Sequence, residues 1–232
     1  MNIRTTLSIG LVSISSLLFG CNGNGGGAVS TDSTQTSTTR VAAASNLWFV
    51  AAATGSQTDL DSALKSGHNV NAQESRDRNT PLHIAAMAGN VNAVNFILSN
   101  GGKIDAVDED GRTALMMCLH RNQGPAALVL VKAGANLELG DRERKTALMF
   151  ACISGQLEAV NAMIARNVNV NAQRKNGTTA LHFAADKGHL EIARALMAAK
   201  ADTTLRDRSG RTALDFAILR SNPEMAKIIR GS

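Results

Sequence analysis

Few side chains in this sequence could transfer protons, attack a substrate or hold a metal. There are five histidines and three cysteines. His83 and His182 each stand three residues after a threonine, in Thr80-Pro81-Leu82-His83 and Thr179-Ala180-Leu181-His182. His189 follows Gly188, His68 follows Gly67, and only His120 stands outside any recurring pattern. A metal site needs three or four ligands that converge, and no His/Cys/Asp cluster has that spacing. No nucleophile elbow, phosphate-binding glycine loop or paired acidic motif occurs, and Gly23-Asn24-Gly25-Gly26-Gly27 reads as linker. These absences predict a non-catalytic protein with no cofactor. Three cysteines are too few for a disulfide framework. Cys118 and Cys152 fall on neighbouring helices about 8–10 Å apart, too far for a bridge, so buried free thiols are expected.

The elements that carry these residues recur. Thr80, Thr113, Thr146, Thr179 and Thr212 are 33 residues apart at every step. A fixed period of this size means stacked supersecondary units. Two residues after each threonine comes Leu82, Leu115, Leu148, Leu181 or Leu214, and four after comes Ile84, Met117, Phe150, Phe183 or Phe216. Small residues follow, chiefly Ala85-Ala86, Ala151-Cys152 and Ala184-Ala185, giving a short helix with one apolar stripe and room for a close neighbour. Gly89, Asn122, Gly155, Gly188 and Ser221 should end those helices in the left-handed conformation. A second helix follows in each unit, closed by Gly101, Gly134, Asn167 and Lys200. An earlier degenerate copy begins at Trp48, with its extra residue absorbed in the loop 74–79. Asn222-Pro223-Glu224 opens the last helix as N-cap, first-turn proline and first-turn acid. Arg220, Glu224, Lys227 and Arg230 predict a polar outer side there and an array that ends within the chain.

Period and motif together resemble the ankyrin repeat, whose signature is Thr-Pro-Leu-His-x-Ala. The resemblance covers residues 45 to 230 and implies an all-α solenoid of about six helix–turn–helix repeats with hairpin-like loops. The repeats fall near 45–77, 78–110, 111–143, 144–176, 177–209 and 210–232. It also implies that His83 and His182 tie successive loops together, and that loop tips and the exposed side of each first helix line a binding face for a protein. The tips read 75–79, 108–112, 141–145, 174–178 and 207–211, and Arg78 and Arg144 replace the usual glycine, which predicts looser turns at those two. Inner-helix candidates are Met87-Ala88, His120-Arg121, Ile153-Ser154, Asp186-Lys187 and Leu219-Arg220.

Segments 142–145, 174–178 and 208–211 carry Arg142, Arg144, Lys145, Arg174, Lys175, Arg208 and Arg211 against Glu143 alone. Arg112, His120, Arg121, Arg142, Glu143, Lys145, Lys175, Lys187, Arg208 and Arg211 are therefore the candidate protein-binding residues, with an acidic partner expected. A solvated, charge-mixed rim that keeps the array soluble would have the same composition. Two further roles fit the pattern: an inhibitor or immunity protein against an envelope enzyme or toxin, or an envelope-structural binder of anionic polymer. A formal net charge of +5 and 3% aromatic content argue against nucleic acid. Nothing in the pattern calls for more than a monomer.

The N-terminus follows the grammar of export. Arg4 precedes an apolar run from Leu7 to Phe19, too short for a membrane span of about 20 residues. Leu18-Phe19-Gly20-Cys21 resembles the bacterial lipobox, which implies a signal peptide over 1–20 and lipidation at Cys21. A plain secretory signal is the alternative. Asn22, in place of the Asp that retains many lipoproteins at the inner membrane, favours the periplasmic face of the outer membrane. Residues 22–44 are Gly, Ser, Thr and Asn with little to bury, so a disordered tether spanning roughly 25–30 Å is expected.

Overall fold

The computed structural model describes residues 48–231. The expected leader over 1–20, Cys21 and the tether to residue 44 lie outside the described residues. Among the described residues twelve helices follow one another: α1 (48–54), α2 (Gln57–Lys65), α3 (Pro81–Ala88), α4 (Val91–Ser99), α5 (Ala114–His120), α6 (Gly124–Lys132), α7 (Ala147–Ser154), α8 (Leu157–Ala165), α9 (Ala180–Lys187), α10 (Leu190–Ala198), α11 (Ala213–Leu219) and α12 (Pro223–Arg230). Among the described residues no strand forms; only isolated bridges join Val107 to Thr113 and Gly140 to Thr146. From α3 onward the odd helices stack on one another in one layer, and from α2 the even helices stack in a second. The result is an all-α solenoid.

Local chemistry sets the helix ends. Thr80 and Thr179 form reciprocal capping boxes with His83 and His182, and Thr212 does so with Asp215. The four odd helices that stop at glycine do so with positive φ at Gly55, Gly89, Gly155 and Gly188. Asn122, Asn167, Lys200 and Ser221 take the same conformation at φ 60°, 57°, 63° and 51°. Each therefore fills the glycine position expected of it, Lys200 at the greatest steric cost because its long side chain gains nothing local from αL.

Burial follows the stripe. Leu82, Leu115, Leu148 and Leu181 are buried, as are Ala86, Leu119, Cys152 and Ala185, where the next odd helix closes over them. Trp48, Leu60 and Ala63 are buried too, so the degenerate first copy packs as a true repeat. Cys118 and Cys152 are buried and free. Burial pushes the Cys118 thiol up to about 12 and the Cys152 thiol higher still, so neither forms thiolate readily.

Two expectations are corrected. The last repeat is not wholly polar on its outer side: Ile218 and Leu219 of α11 are 55% and 63% exposed. Ile218 occupies the position of Ala185 and Cys152, and no further odd helix among the described residues covers it. The polar residues named for this role, Glu224, Lys227 and Arg230, do lie exposed on α12. Nor is the Arg144 tip loose. Its N–H donates to the Asp141 carbonyl at 2.7 Å, tighter than the glycine tips, because Arg144 itself adopts φ 61°. The Arg78 tip is wider, its N–H reaching back four residues to Glu74 at 3.1 Å, which is how the extra residue of that loop is taken up.

Candidate protein-binding face

The loop tips are joined by a backbone ladder. The N–H of Glu109 donates to the Asp77 carbonyl (2.9 Å), Arg142 to Asp110 (2.9 Å), Lys175 to Glu143 (3.0 Å) and Arg208 to Asn176 (2.7 Å). Each donor is one repeat beyond the last, so Arg142, Lys175 and Arg208 fall in one register along the edge of the stack. Within three of the tips an aspartate holds the turn. Asp108 Oδ1 accepts from the Arg112 N–H, Asp141 Oδ1 from Glu143 and Lys145, and Asp207 Oδ1 from Ser209 and Arg211.

Those aspartates correct the charge reading. Lys145 pairs with Asp141 at 3.6 Å and Arg211 with Asp207 at 3.1 Å. Arg142 pairs loosely with Asp110 of the preceding tip (3.9 Å), as does Arg112 within its own tip (3.3 Å). Glu143 faces both Arg174 (3.5 Å) and Lys175 (4.0 Å). The basic row is therefore largely balanced: Asp110 and Glu143 offset Arg142, Arg174 and Lys175, while Asp141 and Asp207, whose carboxylates also accept tip N–H groups, offset Lys145 and Arg211. Arg208 is the member of the row whose ladder partner, Asn176, carries no charge. Its guanidinium reaches only the Lys175 carbonyl, at 3.5 Å.

On the inner side two aromatic pads lie one beyond the other. Lys145 Nζ sits 5.1 Å over the Phe150 ring, and His120 meets the same ring edge-on at 6.0 Å. Two repeats on, Arg211 sits 4.8 Å over Phe216, which His182 meets edge-on at 5.6 Å. Burial against this surface lowers the His120 pKa, and the charges of Arg112, Arg121 and Lys145 lower it further. Arg112, His120, Arg121 and Lys145 thus form one neighbourhood. Lys187 stands apart from them, sharing Asp186 with Arg220, whose guanidinium approaches that carboxylate at 2.6 Å. Arg220 lowers the Asp186 pKa against the opposing effect of burial. Phe150, Phe216 and the tip aspartates were missed as site residues. The recurrence of Lys or Arg five residues before Phe, at 145/150 and 211/216, was the available signal.

His83 and His182 are structural. The Thr80 N–H and hydroxyl donate to His83 Nδ1 (3.1 and 2.8 Å), while Nε2–H donates to the Arg112 carbonyl in the next loop (3.0 Å). His182 repeats this with Thr179 and Arg211 (3.2, 2.8 and 3.1 Å). Among the described residues no three His, Cys, Asp or Glu side chains converge as metal ligands, and no helix is long and apolar enough to cross a membrane.

The family described as Ankyrin repeats (3 copies) matches this sequence over 48–141, 100–174, 128–207 and 148–231, which together span the whole helical stack. The chain belongs to the ankyrin-repeat family. Curated relatives include palmitoyltransferase ZDHHC13 of Homo sapiens and of Pongo abelii, each 43% identical over 61 residues. A ZDHHC13 protein of Danio rerio is 40% identical over 52 residues. These matches take in 22–26% of this chain, which spans only about a tenth of the length of those relatives. Ankyrin stacks are generally protein–protein interaction scaffolds and typically non-catalytic.

Proposed function

We propose that this chain is a non-catalytic scaffold that binds a protein through its loop tips and inner helices while held at a bacterial envelope membrane by a lipid on Cys21. The observation that carries the binding face is the ladder, which sets Arg142, Lys175 and Arg208 in one register beside the Lys145–Phe150 and Arg211–Phe216 pads. A preorganised face of this kind loses little entropy on binding, and cations over aromatic rings are suited to be anchors. Because tip carboxylates offset much of the positive charge, the partner is recognised by an alternating pattern rather than by a uniformly acidic surface.

Crosslinked capture from the native membrane tests the face. The Arg142→Glu/Arg208→Glu pair should weaken capture about tenfold, most at low salt, because the row steers association. Folding should hardly change, since exposed charges contribute little to stability. The matched pair Lys132→Glu/Lys227→Glu, on the even-helix layer, should capture normally. Loss with that pair and retention with the tip pair would place the face on the other layer.

The anchor rests on Leu18-Phe19-Gly20-Cys21 and the Gly/Ser/Thr-rich stretch after it. Cys21→Ala is expected to abolish incorporation of labelled palmitate and to move the protein from the membrane to the soluble fraction. Unchanged labelling would show that another residue carries the lipid.

A further inference from the structure

The groove between the third and fourth loop tips brings two replacements together. Where Gly111, Gly177 and Gly210 turn their tips at φ 77°, 82° and 77°, the third tip has Arg144, held at φ 61°, as the first has Arg78 at φ 56°. A long side chain kept in a conformation that glycine adopts freely is the kind of strain that gathers at binding sites. Where Asp108, Asp141 and Asp207 accept tip N–H groups, the fourth tip has Arg174. Its turn is held instead by Asn176 Oδ1, which accepts the Thr178 N–H (3.2 Å) and hydroxyl (2.6 Å). Two independent replacements thus turn a glycine and a carboxylate into guanidinium groups.

Both arginines line one cavity of about 560 Å³, together with Lys175, Glu138, Asn169 and Asn171. None of the inner-helix candidates lines it. The groove has hydrogen-bonding capacity left over. The Arg174 side chain makes no hydrogen bond among the described residues and meets only Glu143, at 3.5 Å. The Arg144 guanidinium has no ion-pair or hydrogen-bond partner among the described residues. Asn171 commits Oδ1 to the Asp202 N–H, and Asn169 commits Oδ1 to the Asn171 N–H, leaving both Nδ2 amides as donors. Acidic groups are present as well. Glu143 approaches Arg174 and Lys175 from the exposed rim, and Glu138 accepts the Asn169 N–H through Oε1. A bare oxyanion would meet Glu138 unfavourably, whereas a ligand that also carries hydroxyls can donate to it.

We propose that this groove binds a phosphorylated polyol, with Arg144 and Arg174 taking the phosphate, Lys175 adding charge, and Glu138 accepting a ligand hydroxyl. Guanidinium groups suit this because their planar forks match phosphate oxygens two at a time. The chemistry is shared by free glycerol phosphate and by the headgroup of phosphatidylglycerol.

Calorimetric titration of the full-length protein with glycerol 1-phosphate tests it. Saturable binding is expected, with inorganic phosphate weaker. Arg144→Gly/Arg174→Asp restores the residue types of the sister repeats and leaves Lys175 in place. It should lower affinity by about tenfold or more without lowering the melting temperature. Arg144→Gly alone, which suits the left-handed tip, should already weaken binding. Retention on phosphatidylglycerol vesicles that glycerol 1-phosphate displaces would identify the lipid headgroup as the source. Binding of the free compound without vesicle retention would identify a soluble one. No saturable binding by the wild type, equal affinity in the double variant, or equal affinity for inorganic phosphate would each overturn the assignment.

Discussion

Leu148→Ala or Leu181→Ala should destabilise the array by about 2–5 kcal/mol, the range for a buried leucine that leaves a cavity between close-packed helices. Both leucines are 1% exposed, and each lies under the helices of the repeats on either side. Leu214→Ala should cost much less, because Leu214 is only half-buried and, among the described residues, its repeat has a neighbour on one side. In a quasi-one-dimensional stack the terminal substitution frays one end, whereas the central ones divide the array. Thermal melts followed by circular dichroism check this. Leu214→Ala should lose a minor part of the helical signal before the main transition. Equal cooperative loss from all three would contradict a stack of semi-independent units.

His182→Ala should cost about 2–4 kcal/mol near neutral pH. It leaves the buried Thr179 N–H without an acceptor and removes the bond to the Arg211 carbonyl, at about 1–3 kcal/mol for the orphaned group alone. The Arg211 carbonyl keeps a second donor, the Asp207 N–H, so the loss falls mainly on Thr179. Acid should act at the same place. Nδ1 of both His83 and His182 accepts from threonine while Nε2 donates, which fixes the neutral tautomer. Burial lowers both pKa values below the ordinary 6.5, outweighing the carbonyl bonds and nearby aspartates that raise them. Above that value neither folded nor unfolded chain binds the proton, and stability is complete. As the pH falls below it the unfolded chain takes up protons that the folded chain resists, so stability declines. Urea midpoints measured between about pH 7 and about pH 5 should fall for the wild type and fall less for His182→Ala. An unchanged slope would mean that these imidazoles are not the acid-sensitive groups.

The frame of the molecule was legible because it is local and periodic. The threonine caps, the leucine stripe and the positive-φ residues down to Lys200 act within one repeat, where spacing along the chain fixes spacing in space. The site was only partly legible because its energetics act between repeats. Arg142 meets Asp110, and Arg174 meets Glu143, at separations of about one period, and which groups face each other depends on how the tips stack. Counting charges from Arg142 onward passed over Asp141, whose carboxylate both shapes the turn and holds Lys145. Ile218 misled for a related reason: its residue type matches a covered position, and its exposure follows from what is stacked on it.

The tip ladder also sets a scale. Its bonds run backbone to backbone, so they keep the same pitch whatever side chains they carry. Packed helices lie about 8–10 Å apart, and that distance separates one rung from the next. A polyproline II peptide advances about 3.1 Å per residue and returns to the same side every third residue, close to one rung. Arg142, Lys175 and Arg208 therefore act as a ruler ticked once per turn of such a peptide. A pleated strand laid along the same edge would present its third residues to alternate sides and engage every other mark.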